Sequence, residues 1–276
     1  MYMKLKDGKS KVLTLSYDDG VLQDIRLMKI MDQYGIKGTF NINSGLYRDE
    51  DFVREKPRGR MKLSEAKEAY INSGHEIAVH GYKHLTLGLL HPDEIIQDVM
   101  EDRRNIEREF KTIARGMAYA NGSFNDTVVK CLEMCGICYC RTTKKTEGFG
   151  FPENWLVLNP TCHHNHPELM EMAKTFVEDP CVRAPMRNKM FYLWGHSYEF
   201  DNDDNWHVIE EFCKYVGNRD DIWYATNIEI YDYVQAFNSL QADIDRKIVH
   251  NPSAIDVWFM QDGVTYCAKA GQTVFL

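Results

Sequence analysis

Short apolar runs, each followed by residues at helical spacing, recur along most of this sequence, and that alternation narrows the fold more than any other feature. Residues 12–17 read as a buried strand, and Ile25, Met28 and Met31 then predict a helix that stops near Gly35. Further strands are predicted at 38–42, 76–79, 116–119, 137–140, 155–158, 190–194 and 222–224. The helices between them are marked by Ser64 as N-cap, by Ile96, Val99, Ile106 and Phe110, and by Val128, Cys131, Leu132 and Cys135. Others open near Pro167, along Trp206, Ile209, Cys213 and Val216, and from about Asn227 to Leu240. Residues 45–60 read as an exposed loop. Alternating units of this kind build an α/β fold. Their number predicts an irregular seven- or eight-stranded β/α barrel over residues 1–242. Residues 243–276 change texture and predict a small antiparallel β appendage, packed on the barrel or used in a homo-oligomer contact.

Composition removes several function classes. Lys and Arg number 33 against 41 for Asp and Glu, a net charge of −8, and no basic run reaches five residues. Neither suits a nucleic-acid partner. No segment approaches the roughly 18 apolar residues of a membrane span, and the first residues lack the apolar stretch of a secretory signal, so a cytoplasmic protein is expected. Cys131, Cys135, Cys138 and Cys140 match neither a zinc nor an iron–sulfur spacing and read as buried thiols.

Polar residues gather where predicted strands end. The first strand runs into Asp18-Asp19-Gly20, the 76–79 strand into His80 with His84 four residues on, and the 190–194 strand into Gly195-His196. In a β/α barrel these ends carry the reactive groups. Each motif alone is an ordinary turn or capping pattern, but two carboxylates and three imidazoles at three strand ends fit a metal hydrolase. Two histidines and a carboxylate hold Zn²⁺ and leave a position open for water. His80 and His84 share a face if their segment is a helical turn, with Asp19 as the oxygen ligand, Asp18 as base and His196 as acid.

These motifs resemble those of the polysaccharide deacetylases, the NodB-homology group or carbohydrate esterase family four. Ser16-Tyr17-Asp18-Asp19-Gly20 is similar to the first family motif, His80-Gly81-Tyr82-Lys83-His84 to the second, and Leu193-Trp194-Gly195-His196 to the closing one. The resemblance implies an irregular β/α barrel and a metal-dependent hydrolase of non-peptide C–N bonds. It implies one divalent transition metal, zinc first, on Asp19, His80 and His84, with Asp18 as base and His196 as acid. The substrate would be an acetylated saccharide or related small amide, N-acetyl first. Other non-peptide C–N bonds, such as a cyclic amide or ureide, and a silent carbohydrate-binding relative are the alternatives.

The sequence also departs from the family pattern. The arginine of the third motif is absent from Met117-Ala118-Tyr119-Ala120-Asn121-Gly122, where Tyr119 and Asn121 are expected to face substrate. Arg141, at the end of the next strand, is the expected replacement. No fourth motif is evident. Instead His163 and His164 follow a strand and are expected near the substrate, as are Trp194 and Glu199 beside the acid, since aromatic rims suit sugar faces.

Overall fold

The computed structural model describes residues 1–180 and 188–276. Its centre is β1 (Lys11–Asp18), all eight residues of which are buried, as a strand covered on both faces must be. The other strands of this sheet are β2 (Gly38–Ile42), β3 (Glu76–Val79), β4 (Gly116–Ala118), β5 (Tyr139–Arg141), β6 (Cys162–His163), β7 (Lys189–Gly195) and β8 (Ile222–Tyr224). All pairings are parallel, in the order β5-β4-β3-β2-β1-β7-β6. Strand β7 follows β1 from Lys11↔Lys189 to Tyr17↔Gly195. The opposite edge is shared, β8 pairing the first half of β1 and β2 the second. A parallel bridge between Arg141 and Leu158 brings the chain that leads into β6 alongside β5, so the sheet curls into a half-barrel.

The two-residue period of the strands sorts the core. Leu13, Leu15 and Tyr17 face the outer layer, packed with Leu27, Met31 and Phe212. This layer contains α1 (Gln23–Gln33), α2 (Leu63–Tyr70), α3 (Pro92–Phe110), α4 (Asp126–Met134), α5 (Leu169–Glu178), α6 (Ser197–Asn202) and α7 (Trp206–Val216), whereas α8 (Asn227–Asn238) packs on the interior side, its Ile230 against Val12, Met190 and Tyr192. Thr14, Ser16 and Asp18 face the interior, where they meet polar partners. Thr14 Oγ1 donates to Asn227 Oδ1 at 2.9 Å, Asn227 Nδ2 to Tyr192 Oη at 2.7 Å, and Tyr139 Oη to Glu76 Oε1 at 2.7 Å. Beneath its open end the half-barrel thus holds a hydrogen-bonded polar layer, as buried polar groups require.

Local chemistry moved several predicted boundaries. Residues 155–158 form a 3₁₀ turn, Trp155–Val157, because Asn154 Oδ1 caps Leu156 N at 2.9 Å, and Leu158 alone bridges. Helix α2 begins at Leu63 rather than beyond Ser64. Glu65 accepts from Lys62 N at 2.8 Å, whereas Ser64 Oγ turns outward to Glu50. The helix expected at Pro167 starts at Leu169, after a turn in which His166 Nδ1 accepts from Glu168 N.

The C-terminal strands are β9 (Gln241–Ala242), β10 (Ile248–His250), β11 (Val257–Gln261), β12 (Val264–Ala268) and β13 (Thr273–Phe275), in two antiparallel three-stranded sheets. The chain's start, Tyr2–Met3, completes one of them against β11, a pairing that local sequence does not announce. Val249, Phe259 and Ala268 form the small core. The Tyr233 hydroxyl ties these strands to α8 and to the approach to β1. It donates to Lys4 O at 2.8 Å and accepts from Trp258 N at 2.9 Å. These contacts lie where β1 begins, whereas Asp18 lies where it stops.

Gly116 faces the Tyr139 ring in register across β4 and β5. A methyl group there would overlap that fully buried ring, whose hydroxyl is anchored on Glu76. Gly116→Ala is expected to destabilise the fold by about 1–3 kcal/mol, read as a lower urea midpoint at unchanged slope.

Candidate active site

Asp18, at the top of β1, is 2 % exposed, and Arg141, at the top of β5, is fully buried. The Arg141 guanidinium donates directly to Asp18 Oδ2 and lies 4.3 Å from the centroid of the Trp194 ring, a cation–π contact. Asn41, opposite Asp18 on β2, donates to Asp18 Oδ1 at 2.8 Å. Burial alone would raise the Asp18 pKa, but Arg141, with help from His80 and His196, outweighs it and holds the carboxyl at about 2. Asp18 is therefore an anion with one oxygen on each of two fixed donors.

The next residue turns away. Asp19 has φ +88 and Gly20 φ +64, a left-handed pair that aims adjacent carboxylates in different directions. Arg60 holds Asp19 there, donating to its backbone carbonyl and, at 2.9 Å, to Oδ1, while also reaching Asn43 Oδ1 at 2.6 Å. The segment expected as an exposed loop thus ends on a residue of the site. Residues 80–84 form a turn that is not helical, and His84 takes φ +55 to bring its ring back. Two carboxylates one turn apart on α3 shape that turn. Asp98 accepts from Tyr82 N and Lys83 N, and Asp102 from His80 N and Ser44 N.

The donor atoms of Asp19, His80 and His84 lie within 4.8 Å of one another. His80 Nδ1 donates to Ala118 O at 2.9 Å, which fixes the tautomer and leaves Nε2 with its lone pair. That Nε2 is buried and has no hydrogen-bond partner. It stands 3.9 Å from Asp19 Oδ1, and His84 Nε2 stands 3.7 Å from the same oxygen. Two imidazoles and one carboxylate around an unpaired buried lone pair suit a divalent transition metal.

Across Asp18 is a second group. His196 Nε2 lies 3.9 Å from Asp18 Oδ2, and its Nδ1 lies 3.2 Å from Glu199 Oε1, three residues along the start of α6. The Nε2 atoms of His163 and His164 each lie 3.1 Å from Glu199 Oε2. Burial lowers the His196 pKa, but the bond to Glu199 and the charge of Asp18 raise it further, with a net shift upward. Burial acts upward on Glu199 too, yet hydrogen bonds from His163, His164 and His196 outweigh it and hold the carboxyl far below the ordinary range.

Residues 5–140 match the family model of the polysaccharide deacetylases. Over this stretch the chain is similar to the polysaccharide deacetylase family. No curated protein matches the sequence. A putative polysaccharide deacetylase from Mycobacterium smegmatis superposes with TM-score 0.58 at 15 % identity, covering 86 % of this chain and 94 % of that one. The Xyl-CE4 domain of a multidomain xylanase from the hindgut metagenome of Trinervitermes trinervoides superposes with TM-score 0.51 at 15 % identity, covering 82 % and 92 %. A deacetylase of Streptococcus pyogenes in complex with acetate aligns over 52 % of this chain and 61 % of that one, at 20 % identity and TM-score 0.44. This chain therefore spans less than two-thirds of the Streptococcus protein. At these identities the likeness is one of fold.

The structure separates the predicted substrate contacts. His163 stays partly exposed beside Trp194, their ring centroids 4.7 Å apart. Tyr119 does not face substrate: its hydroxyl donates to Leu156 O at 2.8 Å and its ring stacks on Phe124. Asn121 is exposed, but its amide is engaged by Thr86 Oγ1. His164 is fully buried and stacked against Phe200 and Tyr17, so it backs Glu199 rather than meeting a ligand. Trp194 lies under Arg141 and is 9 % exposed. Asn41, Arg60, Asp98 and Asp102 are residues that the sequence reading lacks. Only Asn41 carries a local signal, as an amide inside a short, fully buried strand.

Glu199→Gln removes a cause that raises the His196 pKa. If turnover requires protonated His196, the alkaline limb of the rate profile is expected to move to lower pH, measurable from kcat/KM against pH.

Proposed function

We propose that this chain removes an acetyl group, N-linked first of all, from a saccharide with the help of one divalent cation held by Asp19, His80 and His84. The observation that carries this reading is the convergence of those three donors, with the Asp18 anion and the His196 imidazole beside them. Zinc is the ion that this set of two imidazoles and one carboxylate suits best. When bound, the cation supplies Lewis-acid chemistry, acidifying water and polarising an acyl carbonyl.

The protein's own groups do the rest. Asp18 accepts a proton from the attacking water, with its geometry held by Arg141 and Asn41. His196 donates its Nε2 proton to the nitrogen as the C–N bond breaks, while its Nδ1 keeps a proton directed at the Glu199 carboxylate.

Acetate release from N-acetylated and O-acetylated oligosaccharides, with and without chelator, tests this reading. Activity is expected to fall by at least about 100-fold on chelation, the scale of several kcal/mol of cation stabilisation, and to return with Zn²⁺ or Co²⁺. Saccharide binding without acetate release would instead indicate a silent relative. Chelator-sensitive opening of a cyclic amide, without deacetylation, would move the substrate to another C–N bond.

A further inference from the structure

We propose that His163, His196 and Glu199 form a second divalent-cation site, distinct from that on Asp19, His80 and His84, and that filling it switches off proton donation by His196. The inhibitory part rests on the reading of His196 as the acid.

The donor atoms of these three residues lie within 4.8 Å of one another. A tetrahedral zinc with bonds near 2.05 Å sets its ligand atoms about 3.3 Å apart. His163 Nε2 stands 3.1 Å from Glu199 Oε2, and His196 Nδ1 stands 3.2 Å from Glu199 Oε1. Behind them His164 Nε2 lies 3.1 Å from Glu199 Oε2. That ring is fully buried and backs the carboxylate from inside the fold. One carboxylate with imidazole nitrogens at ligand spacing on both of its oxygens is a donor set that suits a divalent cation. Two elements present the set: His163 ends β6, and His196 and Glu199 sit at i and i+3 around the start of α6.

Occupation has a chemical consequence. A cation on Nδ1 of His196 displaces the proton there to solvent. The neutral ring that remains carries only its Nε2 proton, a far weaker acid than imidazolium. Transfer to a departing amine then stops.

The test is a titration of the metal-free full chain with Co²⁺ and Zn²⁺ against a chromophoric competitor, alongside acetate release. Two equivalents are expected to bind, and activity is expected to rise with the first and fall with the second. His163→Leu should weaken the second equivalent at least tenfold, leave the first within twofold, and raise the inhibitory metal concentration by the same factor. His84→Ala should weaken the first and spare the second. If His163→Leu fails to fold, judged by circular dichroism, Glu199→Gln replaces it with the same expected loss. Saturation at one equivalent that His84→Ala abolishes would overturn the second site and leave the proposed function standing. Absence of any tight equivalent would overturn both. Two equivalents that survive both His163→Leu and Glu199→Gln would also overturn this inference, as would a second equivalent that binds without loss of activity.

Discussion

Replacing Arg141 with methionine is expected to destabilise the protein by about 3–5 kcal/mol at pH 7, the scale for leaving one partner of a buried ion pair uncompensated. Both partners are out of solvent, and no other full cation among the described contacts donates to Asp18. The sign with pH follows from the shift. The Asp18 pKa is about 2 in the folded protein against an ordinary 3.8. The pair therefore contributes stability that is fully present above pH 3.8 and lost as pH falls toward 2. Without Arg141, burial dominates and the pKa rises above its ordinary value, so Asp18 then costs stability as pH climbs through that raised pKa. Urea denaturation should accordingly show a larger gap between wild type and Arg141→Met at pH 7 than at pH 4. The acid limb of kcat/KM should also move to higher pH. An unchanged acid limb together with equal stability at pH 7 would mean that Arg141 does not hold the base. Arg141→Lys should recover part of the stability, because charge is restored, but less of the rate, because the planar fork that places Asp18 is lost.

Asp18→Asn carries the larger effect on rate. A positioned general base contributes roughly 10²–10⁴-fold, and an amide at this position cannot take a proton from water. Turnover is expected to fall by about that factor. Cation binding should persist, since Asp19, His80 and His84 do not include Asp18. Elemental analysis of the variant beside its acetate-release rate separates the two roles. Loss of the cation with the rate would make Asp18 a ligand, and a rate within tenfold of wild type would remove it as the base.

The site divides into residues that local sequence exposes and residues that it hides. Asp18, His80 and His196 stand out because each is polar where an apolar run stops, and Asp19 and His84 follow within the same short motifs. Arg141 is legible only as an arginine at a strand end, and its contact with Asp18 spans 123 residues. Asn41 shows as an amide in a short strand beside Phe40 and Ile42, but spacing alone does not tell a core amide from one aimed at a carboxylate. Arg60 carries no signal, because a loop arginine reads the same whether it meets solvent or turns back 41 residues to Asp19. Asp98 and Asp102 are similar, since on an amphipathic helix they read as members of the polar face. Tyr119 errs in the other direction. Its place in a motif suggests a ligand contact, but packing against Phe124 and Leu156 turns it inward.

By itself the sequence determined the alternation of strand and helix, the residues that end the central strands, and so the class of chemistry those ends can carry. These are properties of neighbours along the chain, set by backbone period and side-chain polarity. Only the tertiary structure decided which donors meet, that Arg141 and Asn41 share Asp18, that Arg60 clamps Asp19, and that three imidazoles gather on Glu199. Those contacts join strands, loops and helices far apart in sequence, and their geometry exists only once the sheet has curled.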